Sequence, residues 1–190
     1  MKVKKIKKRI LYDGSQLRSL YAYQNYGIMG DSILIWRGPC DVSPEFMVDG
    51  EDKREDALIA GHDMIHLIIE KFGEGLGFAV AMQRLIAAVV KDEVEALVRV
   101  KSINRKKLFR DGDDIYYGNK KFSISIATVS PDWALLHFAF TVTHEGTPVK
   151  TCALSDFAIN PDIFAERVLK RVQAEMLSLF KATTKVFWVK

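Results

Sequence analysis

The sequence predicts an α+β fold, a mostly antiparallel mixed sheet flanked by helices. Three observations carry that expectation. Residues 78–97 and the segment after Asn160 have helical period. The middle of the chain is cut by closely spaced turn pairs, the pattern of hairpins. Strands and helices do not alternate strictly, which argues against a doubly wound parallel sheet. A length of 190 residues predicts one domain over 1–190.

The elements follow in order. Residues 2–12 read as a first strand with a basic face around Val3 and Ile6, closed by the turn pair Asp13-Gly14. Ser15 is placed to N-cap a helix to about Tyr26, with Leu17, Leu20, Tyr21 and Gln24 at helical spacing and Gly27 and Gly30 ending it. Ser32–Trp36 is a short apolar run with β-branched residues, a buried strand. Residues 37–63 read as a long loop opened by Arg37-Gly38-Pro39, with eight acids between 41 and 63 against Lys53 and Arg54. Long loops in compact domains are frequent carriers of function, and a solvated surface loop is the plain alternative. Met64–Phe72 has both a helical and a strand pattern; its length and β-branching favour a strand. Residues 78–97 form an amphipathic helix, with Phe78, Met82, Leu85, Ile86, Val89 and Val90 on the apolar face and Gln83, Arg84, Lys91 and Asp92 opposite.

A strand-rich block follows. Leu97–Ser102 reads as a strand, and Asp111-Gly112 as a turn. Asp114–Tyr117 and Lys121–Thr128 form a hairpin across Gly118-Asn119. After Pro131-Asp132, Ala134–Thr143 is a long apolar strand placed centrally, and Pro148–Leu154 a short edge strand beyond Glu145-Gly146. Asn160 caps the last helix with Pro161 at its first position. Phe164, Val168, Val172, Met176 and Phe180 mark its buried stripe to about Thr183, and Lys185–Val189 is expected to close the sheet.

Composition excludes several classes. Hydrophobic content is 48% and charged content 27%, which supports a packed core rather than disorder. There is no run of 18 apolar residues, so no membrane span is expected, and no apolar segment follows the basic N-terminus as a secretory signal requires. Cys40 and Cys152 stand far apart in no metal-binding or redox spacing, so free thiols and a cytoplasmic location are the expectation. The P-loop, dinucleotide-binding, zinc-protease and nucleophile-elbow patterns are absent from the sequence. His62 and His66 have metal-ligand spacing, but no third ligand is evident, and no metal centre is assigned. The acidic stretch 49–56 lacks the ligand spacing of a calcium loop.

The segment Gly112–Ala127 concentrates the chemistry. A lysine beside a hairpin, preceded by acids, puts a cation and a carboxylate on one sheet surface. Alternation places Lys121 with Ser123 and Ser125, opposite Phe122, Ile124 and Ile126. A lysine in a pocket is a point charge for a carboxylate or phosphate, and it stabilises a developing oxyanion.

This segment resembles the core motif of the lipoate–protein ligase and biotin–protein ligase superfamily. Asp113 and Asp114 stand at the family's Asn-Asp pair and Ile115 at its apolar residue. Lys121 stands at its lysine, and Ser123 at its hydroxyl residue. Helix 78–97, the strand with His137, Leu34-Ile35-Trp36 and Gly61-His62-Asp63 fall in the family's order, so the likeness spans about residues 10–160 and looks most like an uncharacterised archaeal branch. The sequence departs from the pattern in three places. EDKREDALIAG stands where the family has a glycine-rich loop, Ile124 replaces a glycine, and Asp113 replaces the Asn.

The resemblance implies activation of a small carboxylic acid with ATP and Mg2+, or direct acyl transfer, onto a protein lysine, with a small carboxylic acid or acyl-adenylate and an acyl-carrier protein as partners. It assigns Lys121 and Asp114 to catalysis: Lys121 to the carbonyl and α-phosphate oxygens, Asp114 to orienting Lys121 or a magnesium ion. It assigns Asp113, Ser123, Arg54, His62, Asp63 and His137 to substrate binding; a core histidine is the plain alternative for His137. Two further readings stand beside it: a non-catalytic binder of a small carboxylate or nucleotide, and an RNA-binding module using the basic stretch Lys4–Arg9.

Overall fold

The computed structural model describes residues 1–190 except 99–102, 105–106 and 190. In chain order the elements are β1 (Lys2–Lys5), α1 (Tyr21–Tyr26), β2 (Ser32–Asp41), α2 (Gly50–Arg54), β3 (Ala60–Phe72) and α3 (Leu76–Leu97). They continue with β4 (Leu108–Asp111), β5 (Asp114–Tyr117), β6 (Lys120–Lys121), β7 (Ser123–Ser130), β8 (Trp133–Thr141) and α4 (Pro161–Thr183). The main sheet has the order β1-β2-β3-β8-β7, antiparallel except for the parallel pair β1–β2. A smaller sheet, β4-β5-β6, is built of two hairpins. This is the mixed α+β architecture the sequence predicts.

Each face of the main sheet is buried, which explains the uninterrupted apolar runs of β2, β3 and β8. One face carries Ile33, Ile35, Ile65, Leu67, Ile69, Leu136, Phe138 and Phe140 and packs under α3 and α4. The other carries Leu34, Trp36, Met64, Ile68, Leu135 and Ala139 and is covered by Ile6, Tyr12, Leu17 and Tyr21 from the N-terminal segment. Helix α4 starts as its cap predicts: Asn160 Oδ1 accepts from the amides of Asp162 and Ile163.

The structure corrects several boundaries. The first strand stops at Lys5; only Tyr12 bridges again, to Cys40. The first helix shrinks to one and a half turns, because Asp13 holds Ser15 through both its amide and hydroxyl and Leu20 adopts φ 64. Strand β2 runs on through Arg37-Gly38-Pro39, with a register shift between Gly38 and Cys40. Gly38 is obligatory there: a Cβ would run into the carbonyl of Ile10, whose oxygen also accepts from the indole of Trp36. The loop is therefore 42–59, with one turn of 3-10 helix at Pro44–Phe46 and α2 within it.

The strand expected over 121–128 breaks at Phe122. That residue turns into the helix-covered core against Phe140 and Phe157, while its carbonyl accepts from the amide of Thr141. The break shifts parity. Ile124 and Ile126 face the opposite layer from Phe122. Gln83, expected on the solvent face of α3, is buried. Pro148–Leu154 supplies only a single bridge, Thr151 to Lys121. Lys185–Val189 forms no strand, and Phe180 is exposed. Most of the strand expected at Leu97–Ser102 lies outside the described residues.

Candidate functional site

A cavity of about 320 Å³ opens over the N-terminal-segment side of the sheet, at β7 and β8. Its wall includes Lys121, Asp113, Asp114, Ile124, Ser125, Ile126 and His137 from the strands and hairpins, Tyr12 from the N-terminal segment, and Asp49, Glu51, Asp52 and Ile59 from the 42–59 loop.

Lys121 and Asp114 meet through hairpin geometry. Lys121 pairs with Tyr116 across β5–β6, and Asp114 lies two residues from Tyr116 on the same face, so the two side chains are diagonal neighbours. Lys121 Nζ lies 2.8 Å from Asp114 Oδ2, and the Tyr116 hydroxyl donates to the same oxygen at 3.2 Å. Burial, then the Asp114 charge, pushes the Tyr116 phenol up.

Asp113 is anchored away from Lys121. Its Oδ1 lies 2.8 Å from Arg84, and its Oδ2 accepts from Gln83 at 2.7 Å and Ser125 at 2.6 Å. Arg84 also donates to Gln83 Oε1, so α3 locks the turn between β4 and β5. The negative charge of Asp113 is thereby neutralised by Arg84. In contrast, Asp52 has no side-chain partner among the described residues; burial and then Asp49 push its carboxyl up, against the pull of Lys121.

The structure brings Lys121, Asp114, Asp113 and His137 to this cavity and leaves other sequence candidates outside its wall. Ser123 is buried, and its hydroxyl accepts from the amide of Ile115 at 2.9 Å; it lines a neighbouring cavity of about 200 Å³. Arg54 ends α2 exposed. His62 is exposed and faces Gly146. Asp63 is held by Arg37, at 2.8 Å from Nε to Oδ1, and by Arg9 at 2.9 Å. Burial alone would raise the Asp63 carboxyl, but the two guanidinium groups outweigh it and hold it below the usual range.

Those arginines belong to a separate cavity of about 450 Å³ between the N-terminal segment, β2 and the start of α4, with Lys5, Lys7, Arg9 and Arg37 on its wall. Three of its four cations are already in ion pairs, Lys5 with Asp162 and the two arginines with Asp63. Both cysteines are buried, which pushes each thiol up to about 12 and makes them inert. Among the described residues no cluster of three or more His, Cys, Asp or Glu side chains has the geometry to hold a metal ion, and no helix is long and apolar enough to cross a membrane.

Sequence reasoning missed Asp52, Gln83 and Arg84 as neighbours of the hairpin, and His66 as the partner of His137; it placed Ser125 beside Lys121, whereas the Ser125 hydroxyl bonds Asp113. Only Gln83 and Arg84 left a signal, as adjacent polar residues on a helix that precedes the hairpin.

The model of the domain of unknown function DUF366 matches residues 1–187. The chain belongs to that family. It is similar to the uncharacterized protein MJ0805 of Methanocaldococcus jannaschii, at 33% identity over 81% of this chain and 69% of that protein. It is also similar to the solved structure of a protein of unknown function from Pyrococcus horikoshi, with 38% identity, TM-score 0.91, and 99% and 100% of the two chains covered. The DUF366 chain further matches a biotin protein ligase from Aquifex aeolicus in complex with biotin and ATP, at TM-score 0.60 over 90% of this chain and 68% of that one. At 11% identity that likeness is one of fold.

Proposed function

We propose that this DUF366 protein is a small-carboxylate ligase or acyltransferase, with Lys121 as the group that stabilises the reacting oxygens. The observation that carries the reading is the Lys121–Asp114 pair at 2.8 Å on the wall of a 320 Å³ cavity, in a fold shared with a biotin protein ligase. Asp114 fixes the ammonium in place, so little reorganisation is needed when negative charge develops on a carboxylate or phosphoryl oxygen. Asp114 and the Arg84–Asp113–Ser125 network hold the hairpin that presents Lys121. Ile124 and Ile126 give the acid an apolar wall, and a protein lysine is the acceptor in this reading.

The residues present fit ATP only with its metal. The cavity wall has five carboxylates, Asp49, Glu51, Asp52, Asp113 and Asp114, against one ammonium. Magnesium would therefore arrive on the triphosphate rather than in a protein cage. ATP, when bound, supplies the adenylyl group that activates the carboxylate, with pyrophosphate leaving. Lys121 would hold the α-phosphate and carbonyl oxygens.

The same excess of carboxylates favours a second reading, a binder of small acids that does not use nucleotide. ATP–pyrophosphate exchange with octanoate, lipoate and biotin separates the two. Exchange in the wild type and a fall of about 10²–10³-fold in Lys121→Ala is the expected result. Exchange unchanged in Lys121→Ala overturns the role of Lys121. No exchange with any acid, together with thermal stabilisation by one of them, identifies the binder.

A further inference from the structure

Two imidazoles meet beside the cavity that holds Lys121: His137 lines it, and His66 bonds to His137. His66 and His137 project from β3 and β8 and are both buried, with His137 only 2% exposed. Burial lowers His66 to about 4 and holds His137 well below the ordinary range, with His66 as the second cause for His137. Both rings are neutral at pH 7, and a neutral imidazole has one donor and one acceptor nitrogen.

The backbone fixes which is which. His66 Nε2 lies 3.2 Å from the carbonyl oxygen of Gly38, a group that only accepts. His66 Nε2 therefore has the proton, and His66 Nδ1 is an acceptor. His137 Nε2 lies 3.1 Å from that nitrogen and must donate to it. His137 Nδ1 is left with a lone pair and no proton. Among the described residues nothing bonds to it. Among the described residues the one fully sealed side-chain polar atom without a partner is Ser32 Oγ. His137 Nδ1 is thus not sealed off, and the cavity that His137 lines is its way out. Tyr12 stacks on the ring, centroids 3.6 Å apart and planes 8° apart, and blocks rotation.

The charges of the wall add to this. Asp114 is taken up by Lys121, Asp113 by Arg84, and Asp49 accepts from the amides of Glu51 and Asp52. Asp52 has no such partner among the described residues. Glu51 on the same wall is exposed to solvent, so the cavity combines one ammonium, a preset neutral acceptor and, in Asp52, a half-buried carboxylate that feels Lys121 without bonding to it. A plain aliphatic acid would leave the acceptor and the carboxylate desolvated without a bond, which is costly.

We propose that the cavity takes an amino carboxylic acid, whose carboxylate meets Lys121 and whose protonated amine donates to Nδ1 of His137, with Asp52 as counter-charge. The inference rests on the small-acid reading above and narrows it. His137 is a specificity residue in it, and His66 is the positioning residue that sets its tautomer.

Calorimetry with 4-aminobutanoate, 6-aminohexanoate and 8-aminooctanoate, each against the unsubstituted acid and the terminal alcohol of equal length, tests it. At least one amino acid is expected to bind tenfold or more tighter than both counterparts, and Asp52→Asn should shrink that preference without abolishing binding of the plain acid. In His137→Phe the preference should disappear. Imidazole 15N NMR of the wild-type protein keeps the test independent of whether that variant folds: His137 Nδ1 must appear as an unprotonated, pyridine-type nitrogen. A protonated Nδ1 overturns the proposal. Plain acids binding as tightly as amino acids overturn it and leave the small-acid reading standing. Alcohols binding as tightly as amines overturn the cationic requirement. Binding of none of the compounds overturns this inference and the small-acid reading together.

Discussion

The two faces of the main sheet are made by alternate residues of the same strands, yet they differ in kind. The face under α3 and α4 is predominantly apolar, from Ile33 and Ile35 to Phe138 and Phe140, with the Arg37–Asp63 ion pair only at its margin beside α4. The opposite face interleaves Leu34, Ile68 and Ala139 with His66, Glu70 and His137, all buried. Each of these polar groups has a defined partner. Glu70 accepts from the amide of Ala22 at 2.7 Å, His66 engages the Gly38 carbonyl, and His137 engages His66. One face is built for cohesion. The other accepts the desolvation of polar groups and uses it to position a cavity.

The largest expected effect falls on the cohesive face. Phe138 is 0% exposed, and Phe138→Ala removes a ring that α3 and α4 close over. A loss of about 3–5 kcal/mol in unfolding free energy is expected from denaturant titration. A loss below about 1 kcal/mol would mean that this face does not carry the stability of the sheet, and the contrast between the faces would fail.

The polar face is next, and its signature is pH dependence. The folded-state pKa values of His66 and His137 lie below the ordinary 6.5. The unfolded chain then binds more protons than the folded one as pH falls from about 6.5 toward the lowered values. Stability is full above the unfolded value and is lost in that window, with a slope of up to about 1.4 kcal/mol per pH unit for each proton. Denaturation at pH 7.5, 6, 5 and 4 measures it. The double variant His66→Phe/His137→Phe should flatten the slope, leaving the carboxylate-driven loss, such as that of Asp63, to lower pH. A wild-type protein equally stable at pH 7.5 and pH 5 would contradict the buried neutral pair.

How much of this was legible in the sequence follows the same division. Helices α3 and α4 announce themselves through local period and the Asn160 cap, and the β5–β6 hairpin through Gly118-Asn119. Lys121 beside Asp114 follows from that hairpin alone. What the sequence conceals is set by distant segments. Trp36 alone gives no sign that β2 continues to Asp41; the close approach of Ile10 over Gly38 sets that geometry. The parity shift at Phe122 arises because its ring fits between Phe140 and Phe157, 18 and 35 positions away in sequence. His66 and His137 lie 71 positions apart, so nothing local announces that one sets the proton of the other. The same holds for Asp52, which α2 and its loop carry to Lys121.

The smallest effect concerns a segment that belongs to neither face. The apolar, β-branched run at Lys185–Val189 has the composition of a strand, but every edge position of the main sheet that it would need is left without it: the sheet ends at β1 and β7. Trp188 is 97% exposed, so its ring contributes no burial to either core. Trp188→Ser is therefore expected to change unfolding free energy by no more than about 0.5 kcal/mol. If the segment did close the sheet, removing a buried indole would cost about 3–5 kcal/mol, comparable to Phe138→Ala. The two substitutions measured side by side thus decide whether strand-like composition alone is enough to place a segment in this fold. The expected answer is that it is not, because a strand is stabilised by the face it covers and here both faces are already closed, one by α3 and α4 and the other by the segment around Tyr12.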